Sequence, residues 1–330
     1  MRQDLSTRCH VLLSELGLVH KGEAITATPL EGGVASDIAR VQTRNHQYCV
    51  KFALPKLKVH ADWFAPTHRN LAEYAWLHFA GAQNPDMAVT LYGQSSYHHG
   101  FVMEYLQGDD IYLWKKALLE GTSACTEASI VSQALGTIHA ASGQKDFDQS
   151  KFNNKDDFRD LRIDPYLLYT ASQHPDLADK LHNLADGLYA SDKVLIHGDV
   201  SPKNIFLRQS SAIILDAECA TMGDPVFDLA FCLNHLILKA LHLPQHKEAY
   251  LQFVEVFWQG YASHICWENR EDLGERLMHL LPALMLARID GKSPVEYLNE
   301  ATRAQVRALS RHFLQQPSQS LLEMIAKFKK

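Results

Sequence analysis

The alternation of apolar and polar positions changes rhythm several times along the chain. Residues 1–19 repeat apolar residues at helical spacing, which predicts an amphipathic helix; Asp4 and Glu15 interrupt it, so it is not a signal peptide. Residues 25–54 then switch to short runs rich in β-branched and aromatic residues, ITATPL, SDIARVQT and QYCVKFAL. EGG at 31–33 and RNH at 44–46 punctuate them, which predicts strands joined by tight turns. THRNLAEYAWLHFAG (67–81) returns to helical spacing and ends on Gly81, a predicted stop. MAVTLYG and GFVMEYL read as a strand pair around a His98-His99 turn.

From about residue 107 the pattern is mainly helical. TEASIVSQALGTIHAAS is amphipathic, and LLYTASQHPDLADKLHNLADGLYAS is broken by Pro175. GDPVFDLAFCLNHLIL (223–238) is apolar nearly all round, which predicts burial, with Asp224 as N-cap and Pro225 at the first helical position. Residues 245–330 read as several more helices. Two short strands, in VLIHGDVSPKNIFL (194–207) and SAIILDAECA (211–220), interrupt this region. The pattern predicts an α+β, bilobed chain: a small β-rich lobe over 1–104 and a larger helical lobe over 105–330. A ligand cleft is expected near 105.

Composition narrows the function little. No window approaches the apolar length of a membrane span, which argues against a membrane partner. The net charge of −6 argues against nucleic acid as the main partner, since phosphate neutralisation needs basic clusters. Six cysteines without a CxxC pair suit reduced, mostly buried thiols and a cytoplasmic location. The 18 histidines lack metal-ligand spacing. Oligomeric state is not set by any of this.

VLIHGDVSPKNIFL is where chemistry concentrates. Asp199 and Asn204 stand five apart across a loop stiffened by Pro202, and Asp216 follows twelve residues after Asn204, at the end of AIIL. Strand, loop, strand predicts a hairpin that brings Asn204 and Asp216 together. Such oxygen ligands suit Mg²⁺, usually held by one or two carboxylates plus substrate phosphates. Asp199 stays available to accept a proton from a hydroxyl.

HGDVSPKN followed by ILDAE resembles the catalytic loop and metal-binding motif of the aminoglycoside phosphotransferase and choline kinase-like family, relatives of the protein kinases. The resemblance implies a protein kinase-like fold, ATP and Mg²⁺ as cofactors, and a small-molecule hydroxyl acceptor. It implies Asp199 as catalytic base, Asn204 and Asp216 as Mg²⁺ ligands, Glu218 near the metal or as a structural acceptor, and His197 as a loop support. Upstream it implies Lys51 in a strand on the phosphates, paired with Glu73 in the next helix. Gly33 and Ser36 fall in the glycine-containing turn that would cradle phosphate. Cys49 shares the strand face of Lys51 and would roof the adenine pocket, or be a plain core cysteine. Met103, Glu104 and Tyr105 fall at the hinge, where backbone groups would meet adenine. Asp228 would hold the catalytic loop backbone from below. Lys203 departs from the glycine common before the loop Asn in this family; it approaches the γ-phosphate or is solvated.

Acceptor identity stays open. KDDFRDLRIDPYLLYTAS and LARIDGKSPVEYLNE mix carboxylates with Arg or Lys, so Asp164 and Asp290 are candidate substrate contacts or surface salt bridges. Acid is not concentrated there as a polycationic drug site would need, which favours a metabolic kinase over a dedicated aminoglycoside resistance enzyme. A catalytically weak nucleotide-binding scaffold is the other alternative. A protein kinase is disfavoured, because eight residues between Asp216 and Pro225 are too few to dock a polypeptide.

Overall fold

The structure, a computed structural model, describes residues 4–20, 22–30, 35–56, 58 and 66–329. Helix α1 (Leu5–Glu15) begins where the Asp4 carboxylate accepts the Thr7 N–H at 3.0 Å. Strands β1 (Thr26–Pro29), β2 (Ser36–Gln42) and β3 (Gln47–Ala53) follow, then α2 (Arg69–Gln83), β4 (Leu91–Ser95) and β5 (Gly100–Glu104). They form one antiparallel sheet in the order β1-β2-β3-β5-β4.

Strand alternation gives this sheet two faces. Val41, Val50, Phe52 and Val102 point outward and pack under Cys9, Leu12 and Leu13 of α1. Cys49 and Lys51, in register with Met103 and Phe101, point inward toward α2 and the helical region. Helix α2 does not stop at Gly81. It runs two residues further to Gln83, and Asn84 then caps the next turn by accepting the Asp86 N–H at 3.0 Å. Gly81 instead lies where a Cβ would come 3.3 Å from the Ala88 Cβ, so it serves close packing.

The second region contains β6 (Ile111–Leu113), α3 (Trp114–Glu120), α4 (Cys125–Ser142), α5 (Lys155–Phe158), α6 (Tyr169–Gln173) and α7 (Ala178–Ala190). Next come β7 (Val194–Ile196), β8 (Ile205–Arg208), β9 (Ser211–Ile214) and β10 (Thr221–Gly223). Helices α8 (Val226–His242), α9 (Lys247–Ala262), α10 (Arg270–Asp290), α11 (Glu300–Gln315) and α12 (Leu321–Lys329) complete it. The chain is therefore α+β, with a β-sheet N-terminal region and a helical C-terminal region. Helix α8 is buried over almost its whole length, as its unbroken apolar pattern predicts. It starts at Val226, one residue later than expected, while the Asp224 carboxylate accepts the Val226 N–H at 3.0 Å.

The expected hairpin is formed by β8 and β9, which pair antiparallel on the exit side of the loop and set Asn204 beside Asp216; VLI (β7) pairs antiparallel with Thr221–Gly223 (β10). The loop between β7 and β8 thus bridges two small sheets, and the apolar run on either side anchors it separately. Among the described residues no single helix is long and apolar enough to cross a membrane. One apolar cluster runs from the inner sheet face through Trp76 and Leu77 of α2 into α4, α8 and α10.

Candidate active site

The loop after β7 is held from three directions. Gly198 has φ +80°, and a Cβ there would stand 2.8 Å from the Cys219 Cβ, so both backbone and space demand glycine. Below it, the fully buried Asp228 accepts the His197 N–H at 2.6 Å and the Gly198 N–H at 2.8 Å, one through each oxygen. His139 Nε2 lies 3.3 Å from the same carboxylate, and its Nδ1 is 2.7 Å from the Tyr261 hydroxyl. These partners offset the cost of burying a carboxylate on an apolar helix.

His197 works as a strut. Its Nδ1 accepts the Asp199 N–H at 3.1 Å, which leaves Nε2–H to donate to the Leu215 carbonyl at 3.1 Å. Burial holds the ring below the usual histidine value, in the neutral form this tautomer needs. The Leu215 N–H in turn donates to the Asn204 carbonyl at 2.8 Å, so loop and β9 end side by side. The Asn204 amide nitrogen donates to the Asp199 carbonyl at 3.0 Å and leaves its Oδ1 uncommitted. Asp216 follows Leu215 with φ +71°, a left-handed conformation uncommon outside glycine.

Charges from both regions meet here. Lys51 Nζ lies 2.7 Å from Glu73 and 2.5 Å from Asp216 Oδ1. Burial opposes the Lys51 ammonium, but the Asp216 and Glu73 carboxylates outweigh it and raise the amine above its usual value. Burial likewise opposes Asp216, and Lys51 with Lys203 reverses that, holding its carboxyl below the ordinary range. Glu73, fully enclosed, is pushed up by burial against the pull of Lys51. Glu218 accepts from Arg69 Nε at 2.7 Å, as the structural-acceptor reading expects. The same buried guanidinium donates to the carbonyls of Ala35, Leu54 and Pro66, tying the first sheet to the stretch after β9.

Asp199 is buried, and both its cationic neighbours sit on Oδ2: Arg162 Nη2 at 3.0 Å and Lys203 Nζ at 3.3 Å. Burial opposes its charge; Lys203 and Arg162 outweigh this and keep the carboxyl below its usual value. Oδ1 is left for an incoming group. Arg162 was missed in the sequence, and its placement has a local cause. Arg159–Leu168 forms a wide π-type turn around Pro165, which has no N–H for the Leu161 carbonyl four residues back. Arg162 Nη1 donates to that carbonyl at 2.8 Å, while Nε donates to the Gly198 carbonyl at 2.5 Å. A proline three residues after an arginine inside a helical stretch was the available signal.

Other expected residues fall as follows. Gly33 lies outside the described residues. Ser36 is the buried first residue of β2, on the face of Lys51. Cys49 faces the cleft side but is packed in the core opposite Met103, and burial pushes its thiol up to about 12. Glu104 points to the other face, where Arg208 Nη2 donates to it at 2.7 Å; Tyr105 lies under the Arg40 guanidinium. Asp164 and Asp290 make salt bridges with Arg159 and Arg307, the blander of the two readings.

Among the described residues no three His, Cys, Asp or Glu side chains form a metal cluster. A cation here would rest on Asp216, the Asn204 Oδ1 and oxygens brought by a ligand, a donor set that suits Mg²⁺ and leaves Glu218 outside it. A cavity of about 200 Å³ opens beside Asp199. A larger groove of about 740 Å³, along α10 and the approach to α12, holds none of these residues.

The profile described as the phosphotransferase enzyme family matches residues 26–271. A sequence comparison with curated proteins found no match. Among solved structures, the chain is similar to a choline/ethanolamine kinase family protein from Mesorhizobium loti at 13% identity and TM-score 0.57, covering 98% of this chain and 99% of that one. It is similar to a choline kinase from Streptococcus pneumoniae at 18% identity and TM-score 0.51, over 92% and 96% of the two chains. It is also similar to an aminoglycoside phosphotransferase from Alicyclobacillus acidocaldarius at 12% identity and TM-score 0.52, over 97% and 96%.

Proposed function

Because the chain belongs to the phosphotransferase enzyme family, we propose that it transfers the γ-phosphoryl group of ATP to a hydroxyl of a small molecule. One observation carries this reading: Asp199 Oδ1 stands uncommitted beside Lys51, Asn204 and Asp216, which converge from opposite sides of one cleft. Mg²⁺, bound through Asp216 and Asn204, would neutralise charge on the transferring phosphates.

The side chains supply positioning. Lys51, fixed by Glu73, meets the nucleotide phosphates, and the hinge at Glu104–Tyr105 marks the division of the two lobes. Asp199 Oδ1 accepts the hydrogen bond of the acceptor hydroxyl and aims its oxygen at the γ-phosphorus. A new oxygen–phosphorus bond forms as the γ-phosphorus loses its bond to the β-bridging oxygen; ADP leaves, and the hydroxyl proton passes to Asp199 and on to solvent. With its carboxyl held low, Asp199 is a weak base, which suits a loose transition state where orientation counts for more than early proton removal. Six free cysteines fit a reducing cytoplasm.

Two substitutions test the reading. Asp199→Asn should cut acceptor-stimulated ADP release by about 10²–10⁴-fold while MgATP affinity stays near wild type. Asp216→Ala should lose Mg²⁺-dependent nucleotide binding as well. Mild and equal effects at both positions would sink the assignment.

A further inference from the structure

The cavity beside Asp199 has an unusual charge balance. Its lining includes four cations and two carboxylates, and two of the cations are neutralised locally. Lys115 pairs with Glu296 at 3.1 Å, and Lys203 with Asp199 at 3.3 Å. The other two have no carboxylate. Lys239, on α8, is 1% exposed, and its side-chain ammonium has no hydrogen bond or ion pair among the described residues. Its ammonium lies over the Tyr297 ring, 5.3 Å from the ring centre. Arg288, on α10, is turned by Ser293 and the Tyr166 hydroxyl, and its Nε has no partner. His235, one turn before Lys239, is buried with Nδ1 unpartnered. Lys239 and Arg288 therefore bring two cations from two helices to one small cavity without a carboxylate of their own.

A buried, unpaired ammonium is costly unless something supplies the opposite charge. We propose that this cavity binds the anionic group, carboxylate or phosphate, of a hydroxyl-bearing acceptor, with Lys239 and Arg288 as its binding residues. The proposal rests on the phosphoryl-transfer reading of Asp199 and names the substrate class for it. Burial and the neighbouring Lys115 and Arg288 bring the Lys239 amine down to about 7, so without a ligand it is poised to lose its proton, and an anion restores its charge. Neither Lys51, Glu73 nor Asp216 lines the cavity, so Lys239 and Arg288 stand apart from the residues assigned to the nucleotide's phosphates. One molecule spanning the cavity puts its hydroxyl on Asp199 and its anion on Lys239 and Arg288. The volume of about 200 Å³ is below that of pockets for drug-sized ligands, which favours a compact metabolite over a multi-ring antibiotic. A cationic amino alcohol would meet like charge.

The test uses the full chain with MgATP and matched acceptors. Hydroxycarboxylic acids are compared with their methyl esters, sugar phosphates with the free sugars, and amino alcohols and aminoglycosides form a cationic set. ADP release should be stimulated by one anionic series, and its kcat/KM should fall about 10- to 100-fold when the anion is neutralised. The series that responds tells carboxylate from phosphate. Lys239→Met and Arg288→Met should raise acceptor KM more than they lower kcat. Malonate or inorganic phosphate should raise the Tm of the wild type and not that of Lys239→Met. Transfer to cationic or neutral acceptors, unaltered by Lys239→Met, would overturn the anion site while leaving phosphoryl transfer standing. Stabilisation by malonate or phosphate without transfer to any acceptor would support the site and remove the kinase reading instead. No stabilisation and no anionic acceptor would also overturn the site, and the ester comparison needs no variant to fold.

Discussion

The two sides of the cleft are built on opposite electrostatic plans. Toward the sheet, each buried charge has a counter-charge close by: Lys51 between Glu73 and Asp216, and Arg69 on Glu218. Toward α8 and α10, Lys239 and Arg288 have none among the described residues. The paired side is complete before any ligand arrives, as preorganised machinery should be. The unpaired side is complete only with its occupant, so it discriminates between ligands by sign.

The largest effect should come from making the paired side resemble the other. Lys51→Met would strand the buried Glu73, and breaking a buried pair this way costs about 3–5 kcal/mol. Guanidinium unfolding should show that loss; a change under 1 kcal/mol would mean the carboxylates find other partners.

A smaller effect tests how the sides meet at Asp199. Arg162→Met removes one of the two cations holding its carboxyl below 3.8. The carboxyl should then rise, so the acid limb of the kcat/KM profile should move to higher pH. The depressed carboxylate contributes stability above pH 3.8 that is lost as pH falls through its folded value, so the variant should also be less acid-stable. An unmoved acid limb would reduce Arg162 to a scaffold for Gly198.

The smallest effect probes the unpaired side without ligand. The folded Lys239 amine lies near 7 against 10.5 unfolded, among Lys115, Arg288, Glu296 and Cys232. The unfolded chain binds the extra proton between those values, so stability should rise with pH by at most about 1.4 kcal/mol per unit. Lys239→Met should flatten this rise; an identical slope in wild type and variant would show that Lys239 is already paired.

The paired side was largely legible in the sequence, because its chemistry follows local spacing. Lys51 lies in a recognisable strand, Glu73 in the next helix, and Asp199, Asn204 and Asp216 within one short stretch. What the sequence left open depends on distant partners or on a broken local pattern. VLI pairs with a strand 27 residues beyond it, and Glu218 meets an arginine 149 residues earlier. Arg162 reaches Asp199 only because Pro165 widens a turn. Lys239 hides in an apolar helix, where periodicity reports burial but not the lack of a partner.

The shared core has a consequence for dissection of the molecule. Cys49, Trp76 and Met103 belong to the same apolar cluster as α4, α8 and α10, while Lys51–Asp216, Arg69–Glu218 and Glu104–Arg208 cross the same boundary. Cutting the chain after Glu104 would expose one half of that core and orphan three ion pairs at once. The β-sheet N-terminal region and the helical C-terminal region thus share one core and should behave as a single cooperative unit: neither fragment should fold when expressed alone, and the pair, if mixed, should recover structure together.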